Sequence, residues 1–228
     1  IDNINNQLKG IKLSELQYPY YFCHRGAANI FPEQSMEAYR SCVNMGLVFL
    51  EMDVRRSTDG TLICHHDDTM DRTTDKTGQV SYYSTMGFKS AKIDCLAGWI
   101  GTPVLFEDLL REFGNKVIYV PEVKDYSDST AELLTDLILK YNLQDNVIIQ
   151  SFSAPNLVYP ISKGLSVCYL KDKTDTSPQD IVSWGIDSVG LSTTLPDSYV
   201  TDCINAGLKV YMYTVDRRYV HDKYLNLG

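Results

Sequence analysis

The run Val48-Phe49-Leu50-Glu51-Met52-Asp53-Val54 constrains this chain more than any other. It is apolar enough to be a buried strand, yet two carboxylates are set into it. Side chains alternate along a strand, so Glu51 and Asp53 share one face while Leu50 and Met52 take the other. Two buried like charges repel and lose hydration, and a fold sustains that only when something compensates. A divalent cation would do so, and oxygen-only ligands point to calcium or magnesium rather than zinc. The alternative is a strand end whose acids are solvated or paired with Arg55 and Arg56. This run alone leaves both open.

The rest of the chain places that strand in an alternating β/α pattern. Tyr20 to Cys23 reads as a short strand, and Ser35 to Met45 has helical spacing that stops at Gly46. Asp59-Gly60 is a hairpin turn, so Thr61 to His65 should return beside the Glu51 strand. Asp68 to Gly101 is polar and without period, which inside a domain marks a functional excursion. Strands are then expected at Val117–Val123, Val147–Ser151, Ser166–Leu170, Ser188–Leu191 and Val210–Val215. Helices are expected at Phe106–Phe113, from a capping box Ser129-x-x-Glu132, from Ser177-Pro178 to Trp184, and at Asp197–Ala206. Short strands separated by helices predict a parallel sheet with right-handed crossovers. The count is seven strands plus a hairpin arm. This predicts an α/β fold of the TIM (β/α)8 barrel type whose eighth strand is missing or lies beyond Gly228, with a doubly wound sheet as the rival. Seven strands would leave a seam to be filled from outside the set. No glycine-rich fingerprint follows the first strand, which argues against a dinucleotide site.

A length of 228 residues with 44% hydrophobic content suits one large domain. We expect a lead-in over 1–17 and the barrel over 18–228, with the excursion at 68–101. A net charge of -8 without a basic run argues against nucleic acid. No apolar run reaches the ~18 residues of a membrane span. The chain starts at Ile1, which suggests a processed product or part of a larger protein. The six cysteines include no C-x-x-C pair and read as buried free thiols, as in a reducing compartment.

In barrels of this kind catalysis sits at the carboxyl ends of the strands. Those ends carry His24-Arg25, then Glu51 and Asp53, then His66 on the hairpin arm, then Glu122-Val123-Lys124. Each has a plainer reading: a core histidine, or a Glu122–Lys124 ion pair. Together they complement one another. Glu51, Asp53 and Glu122 could bind a divalent cation, Arg25 and Lys124 could take phosphate oxygens, and two histidines could act as acid and base near neutral pH. Of the adjacent His65 and His66, only one can face such a pocket.

These motifs, in this order, resemble those of the glycerophosphodiester phosphodiesterase family: His24-Arg25-Gly26, Pro32-Glu33-Gln34-Ser35, Glu51-x-Asp53, His66-Asp67 with Arg72-Thr73-Thr74, Glu122-x-Lys124 and Ser151-Phe152. The resemblance runs from about Tyr21 to Val215. It implies a TIM barrel with one calcium or magnesium ion on Glu51, Asp53 and Glu122. It also implies His24 and His66 as the acid–base pair, Arg25 and Lys124 on phosphate, and an excursion that helps cover the pocket. The implied reaction is hydrolysis of a glycerophosphodiester to glycerol phosphate and an alcohol, through a cyclic phosphate where a neighbouring hydroxyl attacks. Gln34 stands where the family usually has asparagine, and Asp216 where Trp-Thr-Val-Asn usually ends. A sphingomyelinase-type phospholipase D and a non-catalytic phosphate- or teichoic-acid-binding module are the competing readings. The expected partner is a small glycerophosphodiester or a glycerol-phosphate polymer. A surface or periplasmic location is favoured over a cytoplasmic one.

Overall fold

The computed structural model describes residues 10–94, 98–125 and 128–228. The chain forms two compact units that divide after Ile148.

In the first unit the elements are β1 (Phe22–Cys23), α1 (Met36–Asn44), β2 (Phe49–Arg56) and β3 (Leu62–Cys64). The excursion adds α2 (Thr85–Lys89), β4 (Ile93–Asp94) and β5 (Ile100–Gly101). There follow α3 (Phe106–Phe113), β6 (Ile118–Val123) and α4 (Asp128–Lys140). β1, β2 and β6 run parallel, and β3 returns antiparallel on β2 through the expected turn. Ser35 caps α1 by accepting from the Ala38 amide. The left-handed Gly46, at φ 79°, follows its C-terminus as the sequence requires. α1 buries Met36, Ala38, Tyr39, Cys42 and Val43, while α3 buries Phe106, Leu109, Leu110 and Phe113. The Phe106 and Tyr119 rings meet T-shaped, with centroids 6.1 Å apart.

Three expectations need correction here. α4 begins at Asp128, so Ser129 lies inside the helix rather than capping it, and its hydroxyl accepts from Arg56 Nη1. β3 ends at Cys64, so His65 and His66 lie just beyond the strand. The excursion is not structureless. Met70, Val80, Phe88 and Ala91 close on Ile63 of β3 as a small core. Those residues are too widely spaced to show a period, but tertiary contact gathers them. Of the lead-in, residues 1–9 lie outside the described part. Beyond them the Ile11 amide donates to Asn115 O, and Ile11 O accepts from Asn146 Nδ2.

The second unit opens in β7 (Ile148–Ser151) and continues through α5 (Pro155–Ser162), β8 (Ser166–Lys171), α6 (Pro178–Ser183), β9 (Ser188–Ser192), α7 (Asp197–Asn205), β10 (Lys209–Tyr213) and α8 (Arg218–Leu225). Its strands lie in chain order, and β8, β9 and β10 are parallel. Among the described residues these four and the three parallel strands of the first unit are the seven that the sequence counts. Ser177 caps α6 ahead of Pro178, as anticipated. Two helices of this unit have no counterpart in the sequence reading. α5 is eight residues long with a proline inside it, and α8 buries none of its residues, so neither writes a clear apolar stripe. Cys42, Cys64, Cys168 and Cys203 are buried free thiols and Cys23 is half-buried, while Cys95 lies outside the described residues.

Candidate active site

Register builds the site. Asp53 of β2 is paired with Glu122 of β6 across the parallel ladder, and Glu51 lies two residues earlier on the same face. Ligand oxygens of Glu51, Asp53 and Glu122 therefore come within 4.8 Å of one another. All three carboxylates are buried, at 5%, 1% and 8% exposure. Arg55 and Arg56 turn elsewhere. Arg55 donates to His66 O and pairs with Asp68, and Arg56 reaches Ser129.

The counter-charges are the two cations expected to meet phosphate. Lys124 Nζ stands 3.1 Å from Asp53 Oδ1 and 2.8 Å from Glu122 Oε1, so the plain ion pair is present too. The Arg25 amide donates to Glu51 Oε2 at 2.7 Å, its Nε lies 3.4 Å from Asp53 Oδ2, and its Nη1 donates to Glu33 Oε1 at 3.2 Å. Arg25 holds a left-handed φ of 56°, followed by Gly26 at 78°. A side chain at position 26 would bring its Cβ within 2.8 Å of the Ala38 Cβ, so the turn closing on α1 demands glycine.

Gln34 was noted in the sequence only as a departure. It is buried, donates from Nε2 to Asp53 Oδ2 at 2.7 Å, and accepts from the Tyr39 hydroxyl at 2.5 Å.

The acids divide by environment. Burial works to raise Asp53, but Lys124, His66 and Arg25 around it hold it below the ordinary range. Burial and the neighbouring Asp53 charge push Glu51 well up, and the same causes push Glu122 up to about 7. Three buried carboxylates with too little positive charge between them fit a hard divalent cation as a donor set.

His65 and His66 part company as expected. His65 is buried, bonds through Nε2 to Thr69 O at 2.9 Å, and meets the Phe88 ring edge-on in the excursion. His66 is about one-third exposed, and its Nδ1 lies 2.6 Å from Asp67 Oδ1. Burial lowers the pKa of His66, Asp53 and Asp67 raise it, and Lys124 and Arg25 lower it, so the ring senses the acid cluster. His24 is solvent-exposed, yet the protein crowded around it lowers its pKa, helped by Arg25 and opposed by Asp53. Asp67, Arg72 and Glu33 stand in the sequence motifs, Asp67 as the neighbour that singles out His66 and the other two without an assigned contact. Arg72 bonds both carboxylates, through Nε and Nη2 to Asp67 and through Nη1 and Nη2 to Glu33.

Residues 24–228 match the glycerophosphoryl diester phosphodiesterase family. A glycerophosphodiester phosphodiesterase of Bacillus subtilis is 27% identical over 235 residues, spanning 90% of this chain and 79% of that protein. Among solved structures, an Oleispira antarctica phosphodiesterase in complex with the product sn-glycerol-3-phosphate aligns with a TM-score of 0.82 at 19% identity, over 92% of this chain and 90% of that one. A glycerophosphodiester phosphodiesterase of Agrobacterium tumefaciens aligns at 0.76 and 21% identity, over 92% and 93%. At these identities the structural likeness speaks for the fold, the TIM-barrel class that the strand–helix alternation anticipates. The chain belongs to the glycerophosphoryl diester phosphodiesterase family.

Proposed function

We propose that this chain is a divalent-cation-dependent phosphodiesterase that hydrolyses a glycerophosphodiester to glycerol phosphate and an alcohol. The observation that carries the reading is the buried convergence of Glu51, Asp53 and Glu122 beside two histidines. These three residues would hold calcium or magnesium. When bound, the cation supplies charge that polarises the phosphate and offsets its negative oxygens.

The protein's own groups do the rest. Arg25 and Lys124, now held by carboxylates, are the cations available to the remaining phosphate oxygens. Of His24 and His66, one takes the proton from the attacking oxygen and the other gives a proton to the departing alkoxide as its P–O bond breaks. Where glycerol's 2-hydroxyl attacks, a cyclic phosphate forms. Water then opens it with the two histidines exchanging roles, which returns both to their starting protonation. Low-shifted histidines suit a resting state in which a neutral ring is ready to act as base.

The test is release of glycerol phosphate from glycerophosphocholine, glycerophosphoethanolamine and a glycerol-phosphate polymer, with and without EDTA. Turnover that falls with EDTA and returns with calcium or magnesium is expected, and the three substrates name the alcohol. Full activity in excess chelator would overturn the cation's role. Binding of these ligands without turnover would make the chain a phosphate-binding module.

A further inference from the structure

Arg72 sits where the excursion meets the site, and its guanidinium spans two carboxylates. Nε donates to Asp67 Oδ2 at 2.6 Å and Nη2 to Asp67 Oδ1 at 2.9 Å. On the other side Nη1 donates to Glu33 Oε2 at 2.9 Å and Nη2 to Glu33 Oε1 at 2.8 Å. Each carboxylate passes the contact on, Asp67 to His66 Nδ1 at 2.6 Å and Glu33 to Arg25 Nη1 at 3.2 Å. The result is a belt from His66 through Asp67, Arg72 and Glu33 to Arg25. A planar fork can give two bonds to each of two carboxylates, whereas a lysine ammonium, like Lys124 between Asp53 and Glu122, gives one to each.

The backbone under Arg72 is anchored. Met70 is fully buried in the excursion core, and Thr74 closes the turn by donating from both its amide and its hydroxyl to Met70 O. The belt has a chemical consequence at His66. An ionised carboxylate only accepts hydrogen bonds, so a neutral His66 facing Asp67 must carry its proton on Nδ1. Its Nε2 is then left bare as the base. Two bonds from Arg72 hold the Asp67 carboxylate in place against the ring, and its depressed pKa keeps it an acceptor there.

We propose that Arg72 is a positioning residue that, through Asp67, fixes the Nδ1–H tautomer of His66 and, through Glu33, holds the Arg25 side chain. The inference rests on the phosphodiesterase reading only for what the ring then does, since the tautomer itself is independent of any substrate.

The experiment compares wild type with Arg72→Ala, Arg72→Lys, Asp67→Asn and Glu33→Gln. Ring-nitrogen NMR at a pH where the histidines are neutral reads the tautomer, with the His66 signals assigned by their loss in His66→Ala. Wild type should show Nδ1–H at His66, and Arg72→Ala should move it toward Nε2–H with kcat down at least about 10-fold. Arg72→Lys should not restore the wild-type pattern. Glu33→Gln should leave the tautomer in place and raise KM more than it lowers kcat. Should Arg72→Ala fail to fold, Asp67→Asn reads the same tautomer with Arg72 and Glu33 intact. An Nε2–H tautomer in wild type, or full kcat with an unchanged tautomer in Arg72→Ala, would overturn the proposal. A tautomer that switches in a protein hydrolysing no phosphodiester would instead defeat the functional reading and leave this one standing.

Discussion

Binding of a divalent cation should expel protons, because the carboxylates that would hold it are not all ionised beforehand. Asp53 is ionised through Lys124, His66 and Arg25, but burial and the Asp53 charge hold Glu122 at about 7 and Glu51 well above its usual value. At pH 7 Glu122 carries roughly half a proton, and Glu51, pushed up by burial and the Asp53 charge, adds to it. Calcium or magnesium binding should therefore release at least ~0.5 protons at pH 7. Through Glu122 alone, affinity should weaken ~10-fold between pH 8 and pH 6. Calorimetric titration in buffers of different ionisation enthalpy reads the proton number from the slope of observed heat. The cation-free protein shows the opposite pH dependence. A carboxyl whose folded pKa lies above its unfolded one stabilises below the unfolded value, and that contribution is lost as pH rises through about 7, so the cation should stabilise more at pH 8 than at pH 6. No proton release together with flat affinity from pH 6 to pH 8 would refute this reasoning. It would mean that Lys124 and Arg25 already compensate all three acids, or that the ion binds elsewhere.

Asp53→Asn should weaken cation binding at least ~100-fold and abolish turnover, since an amide brings no charge to offset the ion's lost hydration. Calorimetry and a glycerol phosphate assay check it. His66→Ala should cost about 10²–10⁴ in kcat, whereas His65→Ala should spare turnover and cost ~1–3 kcal/mol of stability through the orphaned Thr69 carbonyl. His65 has its pKa lowered chiefly by burial, so the folded state binds fewer protons than the unfolded one. Stability should then fall as pH drops below the unfolded value of ~6.5, by up to ~1.4 kcal/mol per pH unit, and a His65→Asn variant should fall less steeply in thermal melts. Met70→Ala should cost ~2–5 kcal/mol and reduce kcat without touching the site, because it loosens the turn that carries Arg72. Unchanged turnover in a folded Met70→Ala protein would count against that coupling.

The sequence made legible whatever depends on local pattern. Two carboxylates at positions 51 and 53 of an apolar run must share a face, and they do. Glycine at 46 and the Ser177-Pro178 pair end and start helices by local geometry, and the structure uses them so. Position relative to another strand is a different matter. That Asp53 stands level with Glu122 follows from the pairing of β2 with β6, which no local pattern specifies. The sequence supplied only the expectation that strand ends gather. The neighbours of the acids were less readable still. Gln34 reads in the sequence only as a departure from asparagine, yet, at a left-handed φ of 59°, its amide bridges Asp53 and Tyr39. Lys124 and Arg25 read as phosphate cations from their charge alone, and the sequence does not show that both also meet the carboxylates beside them.

Arg72 shows why the excursion resisted reading and why it has to be there. It is polar, half-exposed and set in a stretch with no period, the signature of an ordinary solvated loop residue. Its meaning lies in two partners 5 and 39 residues away along the chain. The excursion brings its guanidinium to Asp67 and Glu33, neither of them one of the clustered acids Glu51, Asp53 and Glu122. The excursion must then be rigid enough to hold a guanidinium in register, which is the physical reason for giving a polar loop a core of Ile63, Met70, Val80, Phe88 and Ala91.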